Sequence, residues 1–188
     1  MITKESLQNF VEINYGKTKR SKNTYETVSN YCYTRVSTIL DAYDPQCGDA
    51  QLLREQRNDL DFWLRRYHGY CIMQRPDFRA HYFEVNVDEA ECEFEHLIPA
   101  STVRDLLLHK IFTINQAFNS PTVMLSKAKH RALKKAGFGS KTPDIWLPFK
   151  RYTQVFNAEF QRHDGIKVDQ TVWTLADHFN HFIGQGPA

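Results

Sequence analysis

The chain has 188 residues, a formal net charge of +2, 41% apolar and 13% aromatic side chains. That length and apolar content suit one folded domain with a core and exclude a disordered or low-complexity chain. Its apolar runs are only a few residues long, so no membrane partner is expected, and no basic-then-apolar leader opens the sequence, which predicts a cytoplasmic, intracellular protein.

Four cysteines (Cys32, Cys47, Cys71 and Cys92) are widely scattered with no CxxC pair, so free thiols, several of them buried, are expected rather than a zinc ribbon or a disulfide framework. The first seventy residues read as helical. Thr3 is placed to cap a first helix with Leu7, Phe10 and Val11 on its apolar face and Gly16 as its stop, followed by a basic loop over 17–22. Gly16-Lys17-Thr18 lacks the earlier glycine and preceding strand of a phosphate-binding loop and is rejected as one. A second helix is expected over 24–43, ended by Asp44-Pro45, and a third runs from an Asp49 cap to about Gly69. His68 is then expected as a helix C-terminal cation favoured by the dipole.

From Tyr70 to Phe94 the texture is that of β-formers, read as two short strands, the later leading through Cys92 and Phe94 into Glu95-His96. Short helices are expected over 101–118, a compact strand over 121–125, and a helix over 127–136 capped by Ser126 and stopped by Gly137. Pro148 opens a further helix with a stripe of Phe149, Tyr152, Val155, Phe156 and Phe160, Asp164-Gly165 makes a turn, and a last helix runs over 169–183 with Val172, Leu175, Phe179 and Phe182 on one side. Trp63, Trp146 and Trp173 are expected in the core, and His178 and His181 on the surface. His81, His109 and His163 have no partner visible in the sequence.

Charge is unevenly distributed. Residues 77–105 hold eight acidic side chains against Arg79 and Arg104, whereas 127–151 hold eight basic ones against Asp144 alone. The second block suits a polyanion, or is simply a solvated helix face. Beside it lies the chemistry. Glu95 and His130, thirty-four residues after His96, offer a carboxylate oxygen and an imidazole nitrogen to a hard or borderline cation, leaving His96 to handle a proton. The alternative is a hydrogen-bonded core His96 and a solvated His130.

The order strand, connection, strand, helix, with Glu-His ending the first strand, resembles the ββα-metal, or HNH, nucleases. Phe94-Glu95-His96-Leu97-Ile98-Pro99-Ala100 is most similar to the Glu-His forms such as the bacterial endonuclease I type. The run from Asn119 to His130 is similar to the second strand and helix start of HNH proteins of phages and mobile elements. The likeness covers residues 92–133, under a quarter of the chain. It implies a small ββα-metal unit as a nuclease core over 71–140; with the helical regions read from the residues over 1–70 and 141–188, which match no family, the expectation is an α+β, mostly helical protein in one compact domain. It implies a DNA endonuclease that leaves 5′-phosphate and 3′-hydroxyl ends and uses one divalent metal, Mg²⁺ ahead of Mn²⁺ or another transition metal. Glu95 and His130 would hold the metal and His96 would be the general base. Asn119, with Asn115 as the alternative, would be the middle residue of the motif. Lys127, Lys129, Arg131, Lys134 and Lys135 would grip the phosphates of double-stranded DNA. The reading from another class is a non-catalytic nucleic-acid-binding or regulatory protein that keeps the ββα scaffold; RNA as the substrate is a third.

Overall fold

A computed structural model describes residues 24–75 and 77–183. The helix and basic loop expected before residue 24 lie outside the described residues. Helix α1 (Thr24–Ala42) packs on α2 (Ala50–Tyr67), whose N-cap Asp49 accepts hydrogen bonds from the backbone N–H groups of Gln51 and Leu52. The chain does not stop at Gly69. It continues through a π-helical turn, His68–Met73, whose wider winding buries His68, Cys71 and Ile72. Cys32 and Val36 of α1 and Leu60 and Leu64 of α2 meet α3 (Ala100–Leu108) and α4 (Ile114–Phe118) in a first core cluster.

The second cluster forms on a five-stranded mixed sheet. Its strands are β1 (Tyr82–Glu84), β2 (Cys92–His96), β3 (Thr122–Ser126), β4 (Phe160–Arg162) and β5 (Lys167–Val168), in the order β2-β3-β1-β4-β5. β1 and β3 are parallel and the other pairs antiparallel. Inner strand β3 is buried from Thr122 through Leu125, as its unbroken apolar run requires. Straight after it, α5 (Lys127–Lys135) folds back so that its single buried side chain, Leu133, joins Tyr82, Val123, Phe149, Tyr152 and Phe160.

The α+β class holds, but the balance differs from a mostly helical protein: about half of the described residues are helical and the sheet is larger than expected. The difference lies in the last forty residues. The stripe after Pro148 makes only a one-turn helix, α6 (Lys150–Thr153), and Phe160 belongs to β4, paired with Glu84. β4 and β5 form a hairpin at Asp164-Gly165, where Gly165 takes φ +83° and Asp164 accepts from the Ile166 N–H. Helix α7 (Leu175–Phe182) starts late because Thr174 and Asp177 form a capping box. Val172 is left 64% exposed and Trp146 58%, contrary to their expected core roles.

All four cysteines are free, with Cys32 and Cys71 buried. No helix of the described residues is long and apolar enough to cross a membrane.

Candidate active site

β2 is an edge strand, hydrogen-bonded to β3 alone. Alternate residues of a strand point to opposite faces, so Glu93 and Glu95 share one face and His96 takes the other. At an inner position those faces would be separated by the sheet. At the edge, one cleft of about 630 Å³ reaches Glu93, Glu95 and His96 together with His130, Arg65 and Lys134.

On the first face, α5 carries His130 across the strand. Its Nδ1 meets a carboxylate oxygen of Glu93, and its Nε2 lies 3.0 Å from Glu95 Oε2. The contact with His130 holds the Glu93 carboxyl below the usual carboxylate range. A neutral imidazole has one N–H and can satisfy only one carboxylate; the second contact needs a cation, a proton or a metal ion, on the other nitrogen. The spacing suits either. Two ligands at about 2.1 Å and right angles on an octahedral ion stand about 3.0 Å apart. Among the described residues no three His, Cys, Asp or Glu side chains form a ready-made cage. Glu95 and His130 are two donors, a number that leaves an ion room for water and phosphate oxygens.

The other oxygen of Glu95 is held by Arg151 of α6. This guanidinium is fully buried and donates to Glu95 Oε1 at 3.0 Å and to the carbonyls of His96, Leu97 and Phe138 at 2.8, 3.2 and 2.7 Å. Arg151 thus ties the strand end to the loop after α5.

On the second face, His96 Nε2 lies 2.9 Å from Nδ1 of buried His68, whose Nε2 is 3.0 Å from the Phe118 carbonyl. Burial pushes the His68 imidazole down to about 4 and, with the neighbouring His68, Arg65 and Arg151, holds His96 well below its ordinary value. His68 is therefore not the helix C-terminal cation expected from its place before Gly69.

Asn119 does not line the cleft. Its side-chain amide donates to the carbonyl and side-chain oxygens of Asn115 at 2.9 and 2.8 Å, so both candidate asparagines bond to each other. The Asn119 carbonyl is instead taken by His178 Nε2 at 2.6 Å, with Tyr82 Oη at 2.8 Å from the other ring nitrogen. His178, expected at the surface, is fully buried because Leu175 and Phe179 share its helix face, and burial drives its pKa down to about 3. The five basic residues divide in two. Lys127 donates to the Ala90 carbonyl and Lys129 to buried Glu84, which also accepts the Ser126 N–H in place of any side-chain cap from Ser126. Arg131, Lys134 and Lys135 are exposed, and Lys134 reaches the cleft.

Three contributors were not expected in the site from the sequence: Glu93, Arg151 and His68. Glu93 was findable, since it lies two residues before Glu95 on one strand face. Arg151 carried a weaker signal, a charge set among aromatic residues at helical spacing. His68 carried none, because its partner is twenty-eight residues away across a helix–strand contact. No protein-family model, curated protein or solved structure matches this chain.

Proposed function

We propose that the chain is a metal-dependent DNA endonuclease hydrolysing phosphodiester bonds, with His96 as general base and Glu95 and His130 as the protein ligands of one divalent cation, Mg²⁺ foremost. The observation that carries this reading is the His130 ring set between two glutamates, in the same cleft as a histidine held neutral. A metal-ligating histidine commonly gives its other N–H to a carboxylate, and ligating carboxylates are themselves hydrogen-bonded. Glu93 and Arg151 fill these two supporting roles.

When bound, the cation supplies Lewis acidity at the phosphate and neutralises the leaving oxygen. The chain's own residues do the rest. His96, unprotonated at neutral pH, accepts a proton from water as the water oxygen bonds to phosphorus. The bond to the 3′ oxygen breaks, and that oxygen is protonated from solvent, leaving 5′-phosphate and 3′-hydroxyl ends. The negative charge of an arriving phosphodiester raises the proton affinity of the imidazole beside it, offsetting part of the burial effect. Lys134 and Arg65 on the rim, with Arg131 and Lys135 beyond, suit backbone phosphates without reading bases.

Supercoiled plasmid incubated with Mg²⁺ or Mn²⁺, with and without chelator, tests this. Metal-dependent nicking lost in His96→Ala is expected. No nicking by the wild type, or equal nicking by His96→Ala, would sink the assignment; retained DNA binding without nicking would favour a non-catalytic binding protein.

A further inference from the structure

We infer that His68 is the positioning residue of the site: through one hydrogen bond it fixes His96 in the Nε2–H tautomer and turns the bare Nδ1 nitrogen into the cleft. The inference rests on His96 being the base of the proposed reaction. The direction of two hydrogen bonds sets the tautomer.

The Phe118 carbonyl can only accept, so the proton between it and His68 sits on His68 Nε2. His68 is fully enclosed, and its imidazole is neutral near pH 7, which leaves Nδ1 as an acceptor. The 2.9 Å contact from that Nδ1 to His96 then requires the proton on His96 Nε2. His96 Nδ1 is left with a lone pair. It has no hydrogen-bond partner among the described residues, it is not an enclosed orphan atom, and the ring lines the cleft. Carbonyl, His68 and His96 thus form a relay in which each proton position dictates the next.

The backbone that supplies the accepting carbonyl is held. The Phe118 carbonyl stands at the end of α4, and the next one, of Asn119, is bonded by His178. His68 opens the only π-helical turn among the described residues, a local departure from α-helix that recurs at functional sites. A ring needed only to fill this space would be better apolar, since burying an imidazole needs both nitrogens satisfied. The middle-residue role expected of Asn119 or Asn115 falls in this chain to a histidine from the helical layer.

The test reads His96 directly. Long-range ¹H–¹⁵N spectra of the histidine rings in metal-free protein at neutral pH should show His96 as the Nε2–H tautomer. In His68→Phe, which keeps the ring and removes the acceptor, the Nδ1–H form should appear and kcat for plasmid nicking should fall about 10–100-fold with KM unchanged. His68→Gln, which retains one acceptor and one donor, should recover part of both signals; it carries the test if His68→Phe fails to fold. His96 in the Nδ1–H form in the wild type, or an unaltered tautomer and full kcat in the variants, overturns the inference. Absence of nicking by the wild type removes the nuclease reading, and the tautomer spectra still decide the His68–His96 lock.

Discussion

The two faces of β2 present opposite electrostatics within one cleft. On one, Glu93, His130, Glu95 and Arg151 form a chain of contacts in which a single imidazole stands between two carboxylates and a buried guanidinium closes the end. On the other, His68 is enclosed and His96 lines the cleft against it, where burial disfavours a positive charge on either ring. The lesson is one of separation. In the proposed reaction a base and a cation must be close enough to serve one phosphate, yet a cation beside an imidazole suppresses its basicity. A strand edge lets adjacent residues live in two environments and still open into one cleft.

Substitutions can break this contrast one side at a time. The largest effect is expected from His96→Ala, a loss of about 10²–10⁴-fold in metal-dependent nicking with metal affinity unchanged by calorimetry. Parallel loss of metal binding would merge the two sides. Glu95→Ala and His130→Ala should weaken metal binding while the fold persists, and unchanged affinity in both would refute the ligand pair.

Arg151→Met removes a fully buried cation and should lower unfolding free energy in urea by about 3–5 kcal/mol, because Glu95 and three carbonyls lose their donor. A change under about 1 kcal/mol would show that water replaces it.

The neutral histidines make a pH prediction. Unfolded imidazoles take up protons below about pH 6.5, whereas His68 and His178 in the folded protein do so only near 4 and near 3. The unfolded state therefore binds more protons across that window. Stability from these groups should be level above pH 7 and fall as pH drops from 6.5 toward 4, by roughly 1.4 kcal/mol per pH unit for each ring. Urea melts at stepped pH check this; a profile flat down to pH 4.5 would mean that the rings are not buried neutral.

Smaller effects belong to the rim. Reversing charge at Lys134 and Lys135 should weaken DNA binding and flatten the salt slope by about 1–2, and an unaltered slope would remove α5 from the interface. Smallest of all, Asn119→Ala should shift stability by about 0.5 kcal/mol or less and leave nicking near wild type, since its amide faces Asn115. A large loss of nicking would restore Asn119 to the site.

What was legible in the sequence was local. The Asp49 cap, the buried run of β3, the turn into α5 and the strand end at Glu95-His96 are written in neighbouring residues, and each has its element within a residue or two. The convergence of Glu95 and His130 followed from strand–strand–helix order. The fourth and fifth strands were hidden because Phe149, Tyr152 and Phe156 keep helical spacing, and only pairing with β1 decides that Phe160 is extended. The supports of the site were hidden for the same reason. His68 and Arg151 earn their roles from contacts 28 and 56 residues away, which no periodicity encodes.

Arg151 has one more consequence, for portability. Strand, strand and helix over residues 92–135 look like a cassette that could be cut out or grafted onto another scaffold. In this chain the carboxylate of Glu95 and the carbonyls that end β2 are completed by a guanidinium from α6, beyond the cassette. His96 is held by His68, which lies ahead of it. An excised fragment would carry Glu95, His96 and His130 and neither of the side chains that hold them in place.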